Sequence, residues 1–118
     1  PVVTATVTVP AGFDDVPVNL FVGYLESFDD EDPVVGHGLE LDDPDIGDGN
    51  PLDIVATQDG LVGEYIIVVV LYVEGGAPKG EGWPVEGVDH AWYAENQTLG
   101  SGDVHLGTIE LIPWVTPQ

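Results

Sequence analysis

A chain of 118 residues with 43% apolar side chains is long enough to bury a single core without metal or disulfide staples, and too apolar to be a disordered tail. Twenty-two acids face one base, Lys79, for a formal net charge of -21; nucleic acid and anionic membrane surfaces are excluded as partners, because both demand cations that this chain lacks. Cysteine and methionine are absent, which removes thiol catalysis and disulfides and suits an exposed extracellular life. Metal cations, basic proteins, neutral surfaces such as glycans, and further copies of the chain remain as partners.

The elements read as strands throughout. "VVTATVTV" alternates, with Val3, Ala5, Val7 and Val9 on one face and Val2, Thr4, Thr6 and Thr8 on the other. "PVNLFVGYLES" is a second strand with Val18, Leu20, Val22 and Tyr24 on one face, and "LDIVAT" is a short third. "GEYIIVVVLYVEG" places nine apolar residues in a row between Glu64 and Glu74, well short of the ~18 needed to span a bilayer. "HAWYAENQTL" and "VHLGTIELI" are expected to pair through the glycine-rich turn "GSGD". No stretch sustains a helical apolar period, and glycines and prolines punctuate the runs. One two-layer antiparallel β-sandwich over residues 1–118, immunoglobulin-like and with no significant helix, is the predicted fold. The start at Pro1, without methionine, reads as a processed or trimmed product.

The threonine-rich opening strand, "GEYIIVVVLYVEGG" entering a Gly/Pro loop, and the closing "NQTLGSGDVHLGTIEL" resemble prealbumin-like sandwiches such as Cna B-type and carboxypeptidase-regulatory-like domains. The resemblance covers roughly residues 1–27 and 54–112. It implies a secreted stalk, spacer or fibre subunit on a cell surface. Many Cna B-type domains carry a Lys–Asn isopeptide crosslink. Here the only lysine, Lys79, lies in the loop "GGAPKGEG", and no such crosslink is expected.

Residues 26–53 hold eleven of the twenty-two acids and read as a long acidic loop. Calcium takes six to eight oxygen ligands, and closely spaced carboxylates on a glycine-bearing loop supply them. Asp43, Asp45, Asp48, Asn50 and Asp53 are the candidate ligands, with Asp29, Asp30 or Asp32 as a second cluster; the spacing is not that of an EF-hand. Against this stands a solvated loop whose acids keep one another apart. No catalytic constellation stands out. His37, His90 and His105 form no ligand pair by spacing, although His90, His105 and Asp89 become neighbours if the last two strands pair. Ser27 and Ser101 lie in no nucleophile-elbow context, and the chain reads as non-enzymatic.

Trp83, Trp92 and Tyr93 offer either sugar-stacking faces or ordinary packing, and "NQT" makes Asn96 an acceptor for N-glycosylation. The central strand poses the main problem. One face, Tyr65 to Val73, fills a core; the other, Ile66, Val68, Val70 and Tyr72, also needs a cover. A crossing loop with Val34, Val35 and Leu39, a wrapped second layer, or a neighbouring subunit would each serve. The neighbour is the expectation, with Trp114 docking on it and the first strand, through Val3, Ala5, Val7 and Val9, lent across the interface. The resulting reading is a homopolymeric, pilus-like filament or surface-layer subunit. The alternative is a secreted, calcium-dependent adhesion module that binds glycan or protein.

Overall fold

A computed structural model describes residues 1–29, 33–78 and 83–117. Asp30, Asp32 and Lys79, singled out above, lie outside the described residues. Eight strands run in the order β1 (Val2–Thr8), β2 (Pro17–Leu25), β3 (Val34–Asp42), β4 (Leu52–Thr57), β5 (Gly63–Val73), β6 (His90–Leu99), β7 (Val104–Glu110) and β8 (Ile112–Pro113). They form two layers of a β-sandwich: a three-stranded sheet ordered β4-β1-β7 and a five-stranded sheet ordered β3-β2-β5-β6-β8. All pairs are antiparallel except β1 with β7, which is parallel. No helix among the described residues is long and apolar enough to cross a membrane.

The alternation read in the first strand sets its orientation. Val3, Ala5, Val7 and Val9 face the core, and the threonines lie on the other face. Opposite them, β2 turns in Leu20, Val22 and Tyr24, and β5 turns in Ile67, Val69, Leu71 and Val73. Burying each of the larger aliphatic side chains contributes about 1.5–3 kcal/mol, so the facing rows of β1, β2 and β5 supply most of the cohesion between the sheets.

Two features differ from the sequence reading. The acidic segment 26–53 is not one long loop, because β3 occupies its middle and forms the edge beside β2. Gly36 and Gly38 hide this strand by weakening its pattern, and they are needed there. A Cβ on Gly38 would lie 2.9 Å from the Thr57 carbonyl, and one on Gly36 would lie 2.8 Å from Leu61. β3 passes that closely over Tyr24, whose hydroxyl donates to the Thr57 carbonyl and ties the two sheets together. The second difference is that the last two long strands do not pair. β6 lies in one sheet and β7 in the other, so "VHLGTIELIP" runs beside β1, changes layer at the buried Leu111, and ends as β8 against His90 and Ala91.

Two buried tyrosines make the fold sensitive to alkali. Burial, aided by the negative charge of Asp59, pushes the Tyr24 hydroxyl up to about 12. Burial, then Asp89 and Glu40, does the same to Tyr72, also to about 12. An unfolded tyrosine ionises near pH 10. Their contribution is therefore complete below pH 10 and is lost as pH rises from 10 through 12, where only the unfolded chain has released its protons. Thermal melts from pH 8 to 12 should show a plateau and then a decline of at most about 1.4 kcal/mol per pH unit for each tyrosine. Tyr24→Phe should lower the plateau and flatten the decline; an unchanged slope would remove Tyr24 from this account.

Candidate functional site

Three regions matter for function: the outer face of β5, the loops that cover it, and the first strand. The face of Ile66, Val68, Val70 and Tyr72 is buried by the chain itself. Leu25, Ala91 and Trp114 pack with it in a second apolar cluster, flanked by Phe21, Phe28, Val34, Ala77 and Trp83. Trp114 is only 3% exposed, and its ring stacks on Trp83 with centroids 6.1 Å apart and planes 13° from parallel. The expectation that a neighbouring subunit covers Ile66, Val68, Val70 and Tyr72, with Trp114 reaching outwards, is corrected here. β5 lacks a wet face because aromatic side chains from two distant segments close over it. Of the crossing-loop candidates, Val34 joins this cover, whereas Leu39 packs in the inter-sheet core and Val35 is exposed.

One carboxylate organises that cover. Asp89 is fully buried, and its two oxygens accept hydrogen bonds from three backbone amides, those of Val73 (3.0 Å), Ala77 (2.9 Å) and Val85 (2.7 Å). Its own carbonyl accepts from the Trp114 amide at 2.8 Å. The end of β5, the start of β6 and the segment carrying Trp114 are thus fixed by one residue. Glu86 adds a surface tie: its carboxylate accepts from the Thr116 amide at 2.9 Å, which holds its pKa below the ordinary value. Between the paired tryptophans and the edge strand lies a cavity of about 290 Å³, lined among others by Asn19, Phe21, His37, Tyr72, Trp83 and Trp114.

The candidate calcium ligands do not converge. Asp45 accepts from the Asn50 side-chain amide at 2.9 Å, Asp48 from the Gly12 amide at 3.0 Å, and Asp53 from the Thr6 hydroxyl at 2.7 Å. Asp43 stands exposed at a positive φ of 47°. Among the described residues no group of three or more acids or histidines is placed to hold a metal ion. The histidines are also apart: His90 meets Phe13 edge-on, His37 meets Phe21, and the His105 Nδ1 lies 2.7 Å from the Thr4 hydroxyl. Asp89, His90 and His105 share no site, since β6 and β7 belong to different sheets.

These carboxylates instead act as local ties on a chain that repels itself. Raising NaCl from 0.1 to 1 M shortens the Debye length from about 10 to about 3 Å, so the melting temperature should climb steadily over that range. Calcium and magnesium at matched ionic strength should raise it equally. A larger shift with calcium alone would mean that the acidic segment rearranges to gather its carboxylates.

Of the tryptophan candidates, Trp92 packs against the inter-sheet core, and Trp83 belongs to the outer cover. Tyr93 is half exposed and meets Phe28 edge-on. Asn96 is exposed on β6. The fold and these contacts define a cysteine-free, strongly acidic β-sandwich domain with an aromatic cover over one sheet. No family model, curated protein or solved structure matches the chain.

The first strand has a singular place. β4 and β7 flank it, and neither pairs as a ladder with any other named strand. β1 is therefore the spine of the three-stranded sheet. It connects to β2 through residues 10–16, which are mostly exposed and are tied by the Phe13 amide on the Pro10 carbonyl, the Gly12 amide on Asp48, the Glu74 amide on the Val16 carbonyl, and Phe13 against His90 and the inter-sheet core. Sequence reasoning singled out this strand for its pattern. It named Asp89 only beside His90 and His105 and missed its role as an anchor, because its partners are backbone amides 4, 12 and 16 residues earlier, groups that every sequence possesses.

Proposed function

We propose that this chain is a non-enzymatic structural subunit of an extracellular filament or surface layer, joined to its neighbours by exchange of β1. The observation that carries the reading is that, among the described residues, β4 and β7 have β1 as their only strand partner. A copy whose own β1 has moved away leaves β4 and β7 unpaired, and the β1 of any other copy restores the sheet by the same contacts. Main-chain hydrogen bonds give such a pairing its strength, and alternate side chains fill its pockets. Here those are Val3, Ala5, Val7 and Val9. Head-to-tail exchange does not close on itself unless the rotation happens to form a ring, so it builds a fibre. A surface of net charge -21 favours contacts that need no ion pairs.

The absence of cysteine permits a direct test. Thr4 and Val55 are antiparallel partners across β1 and β4, at a spacing compatible with a disulfide. The Thr4→Cys, Val55→Cys double variant, oxidised under conditions of assembly, should give a ladder of covalent multimers on a non-reducing gel. Electron microscopy of the unmodified protein should show regular fibres. Crosslinked monomers alone would place β1 in its own chain and remove exchange.

A second reading has one observation in its favour, the cavity beside the stacked Trp83 and Trp114. Flat apolar ring faces beside Asn19, His37 and Tyr72 suit a sugar ring, which makes the chain a glycan-binding adhesion module. A monodisperse monomer that binds a glycan array, and loses that binding on Trp83→Ala, would favour it over the filament.

A further inference from the structure

The five-stranded sheet has one side on which its strand pairing stops short. β6 pairs with β5 along nearly its whole length, but on its other side β8 covers only His90 and Ala91. From Trp92 onward that edge has no strand neighbour among the described residues. Unpaired edges recruit foreign strands, and proteins commonly blunt them with bulges, charges or covers. β6 carries a bulge at this place. Tyr65 pairs with Gln97 and Ile67 with Ala94, so Glu95 and Asn96 together stand opposite Ile66. Asn96 takes the left-handed conformation, φ 56°, which asparagine tolerates better than most residues. The Gln97 side-chain amide folds back onto the Glu95 carbonyl at 2.9 Å and stays off the outer edge.

The bulged residue is also the asparagine of Asn96-Gln97-Thr98, with Asn96 and Thr98 both exposed. Beside it lies a groove of about 310 Å³, lined by Asn96 with Glu26, Ser27, Glu64, Tyr65 and Glu95, among others. Its carboxylates accept hydrogen bonds from hydroxyl and amide N–H groups. A neutral, hydroxyl-rich ring fits such a groove without the countercharge that this acidic surface would otherwise require.

From these observations we infer that Asn96, the bulged residue of β6, carries an N-linked glycan that has the groove on its β5 side to rest against and the bulk to close the open edge of β6 to other strands. The inference rests on the extracellular reading above, because the chain must meet a glycosyltransferase. The co-reactant is a sugar activated as a glycosyl phosphate or diphosphate. The Asn96 Nδ2 forms a bond to the anomeric carbon, and the bond from that carbon to the phosphate oxygen breaks. The phosphate leaves with the electron pair, and the amide proton passes to a base of the transferase. The glycan leaves the three-stranded sheet untouched, so it blocks lateral sheet growth while β1 exchange continues.

Peptide mapping by mass spectrometry of the protein isolated from the cells that make it is the direct test. The peptide holding Asn96 should carry a hexose- or hexosamine-containing mass increment. Asn96 found bare overturns the inference. The guarding role is read on two variants made in the same cells. Thr98→Ala destroys the acceptor pattern, and Asn96→Gly destroys it while suiting the left-handed backbone. Both should melt as the parent does yet scatter more light as concentration rises. Variants whose scattering rises with concentration no more than that of the glycosylated parent would overturn the guarding role. The Thr4–Val55 crosslink reports on the filament separately: a laddering protein with a bare Asn96 loses only the glycan, and a glycosylated protein without a ladder loses only the exchange.

Discussion

Deleting residues 1–10 is expected to leave a chain that does not fold alone and that recovers its native structure when the peptide PVVTATVTVP is supplied. The deletion removes Val3, Val7 and Val9 from the core, each worth about 1.5–3 kcal/mol of burial. It also takes from β4 and β7 the one strand partner they have among the described residues. Together these losses approach the whole stability of a typical domain, about 5–15 kcal/mol. Circular dichroism should show a disordered truncated chain, and titration with the peptide should restore a cooperative melt. In the intact protein Val7→Asp should mimic the deletion, since it places a carboxylate at a position with no solvent access, at a cost above about 4 kcal/mol. A truncated chain that folds without peptide would show that β1 is not the spine, and one that still forms fibres would show that it is not the connector.

The second large effect is expected at Asp89. Asp89→Ala leaves the amides of Val73, Ala77 and Val85 without their acceptor, and each buried donor left unmade costs about 1–3 kcal/mol. Ala77 and Val85 lie near enough to the surface for water to replace part of the loss. The net cost should be about 3–5 kcal/mol, a fall in melting temperature of more than about 10 °C. Asp89→Asn should recover little, because one oxygen becomes a donor facing donors. Asp89→Ala should also loosen the cover, because Ala77, which packs in it, loses its anchor. Tryptophan emission should shift to the red, and a hydrophobic dye should bind where Ile66, Val68 and Val70 become wet. A variant within about 1 kcal/mol of the parent, at the limit of ordinary surface substitutions, would show the loop to be held by other contacts.

Legibility in the sequence followed locality. β1, β2, β4 and β5 could be read, with their inward faces, because a strand's alternation is written in the residues that form it. β3 was missed because Gly36, Gly38 and the surrounding acids serve close passage and solvation, and these erase the apolar period. The pairing of β6 with β7 was misjudged because a glycine-rich turn between two strands looks the same whether the chain folds back in one sheet or crosses to the other. The role of Leu111 in that crossing depends on its burial between layers. At β5 the sequence stated the problem, nine apolar residues without a wet face. It did not state the answer, since Trp83 and Trp114 are separated by thirty residues and meet only in space. In the acidic segment the carboxylates were plain, but their partners Thr6, Gly12 and Asn50 come from other elements or from a local turn.

The parallel pairing of β1 with β7 also sets an order in time. Thr4 and His105 are 101 residues apart in the chain, so during synthesis at about 5–20 residues per second β1 emerges roughly 5–20 s before its parallel partner exists. The strand that organises a whole sheet is thus made well before one of its two partners, and its sheet is among the last parts to close. For that interval one side of β1 lacks its strand neighbour, and the nascent chain is most open to a neighbouring copy. Slow folding after emergence, expected of sheets closed by distant strands, prolongs the interval. If β1 is exchanged as proposed, whether a given copy keeps its strand or lends it is then decided by kinetics, by how crowded the site of synthesis is with copies of itself.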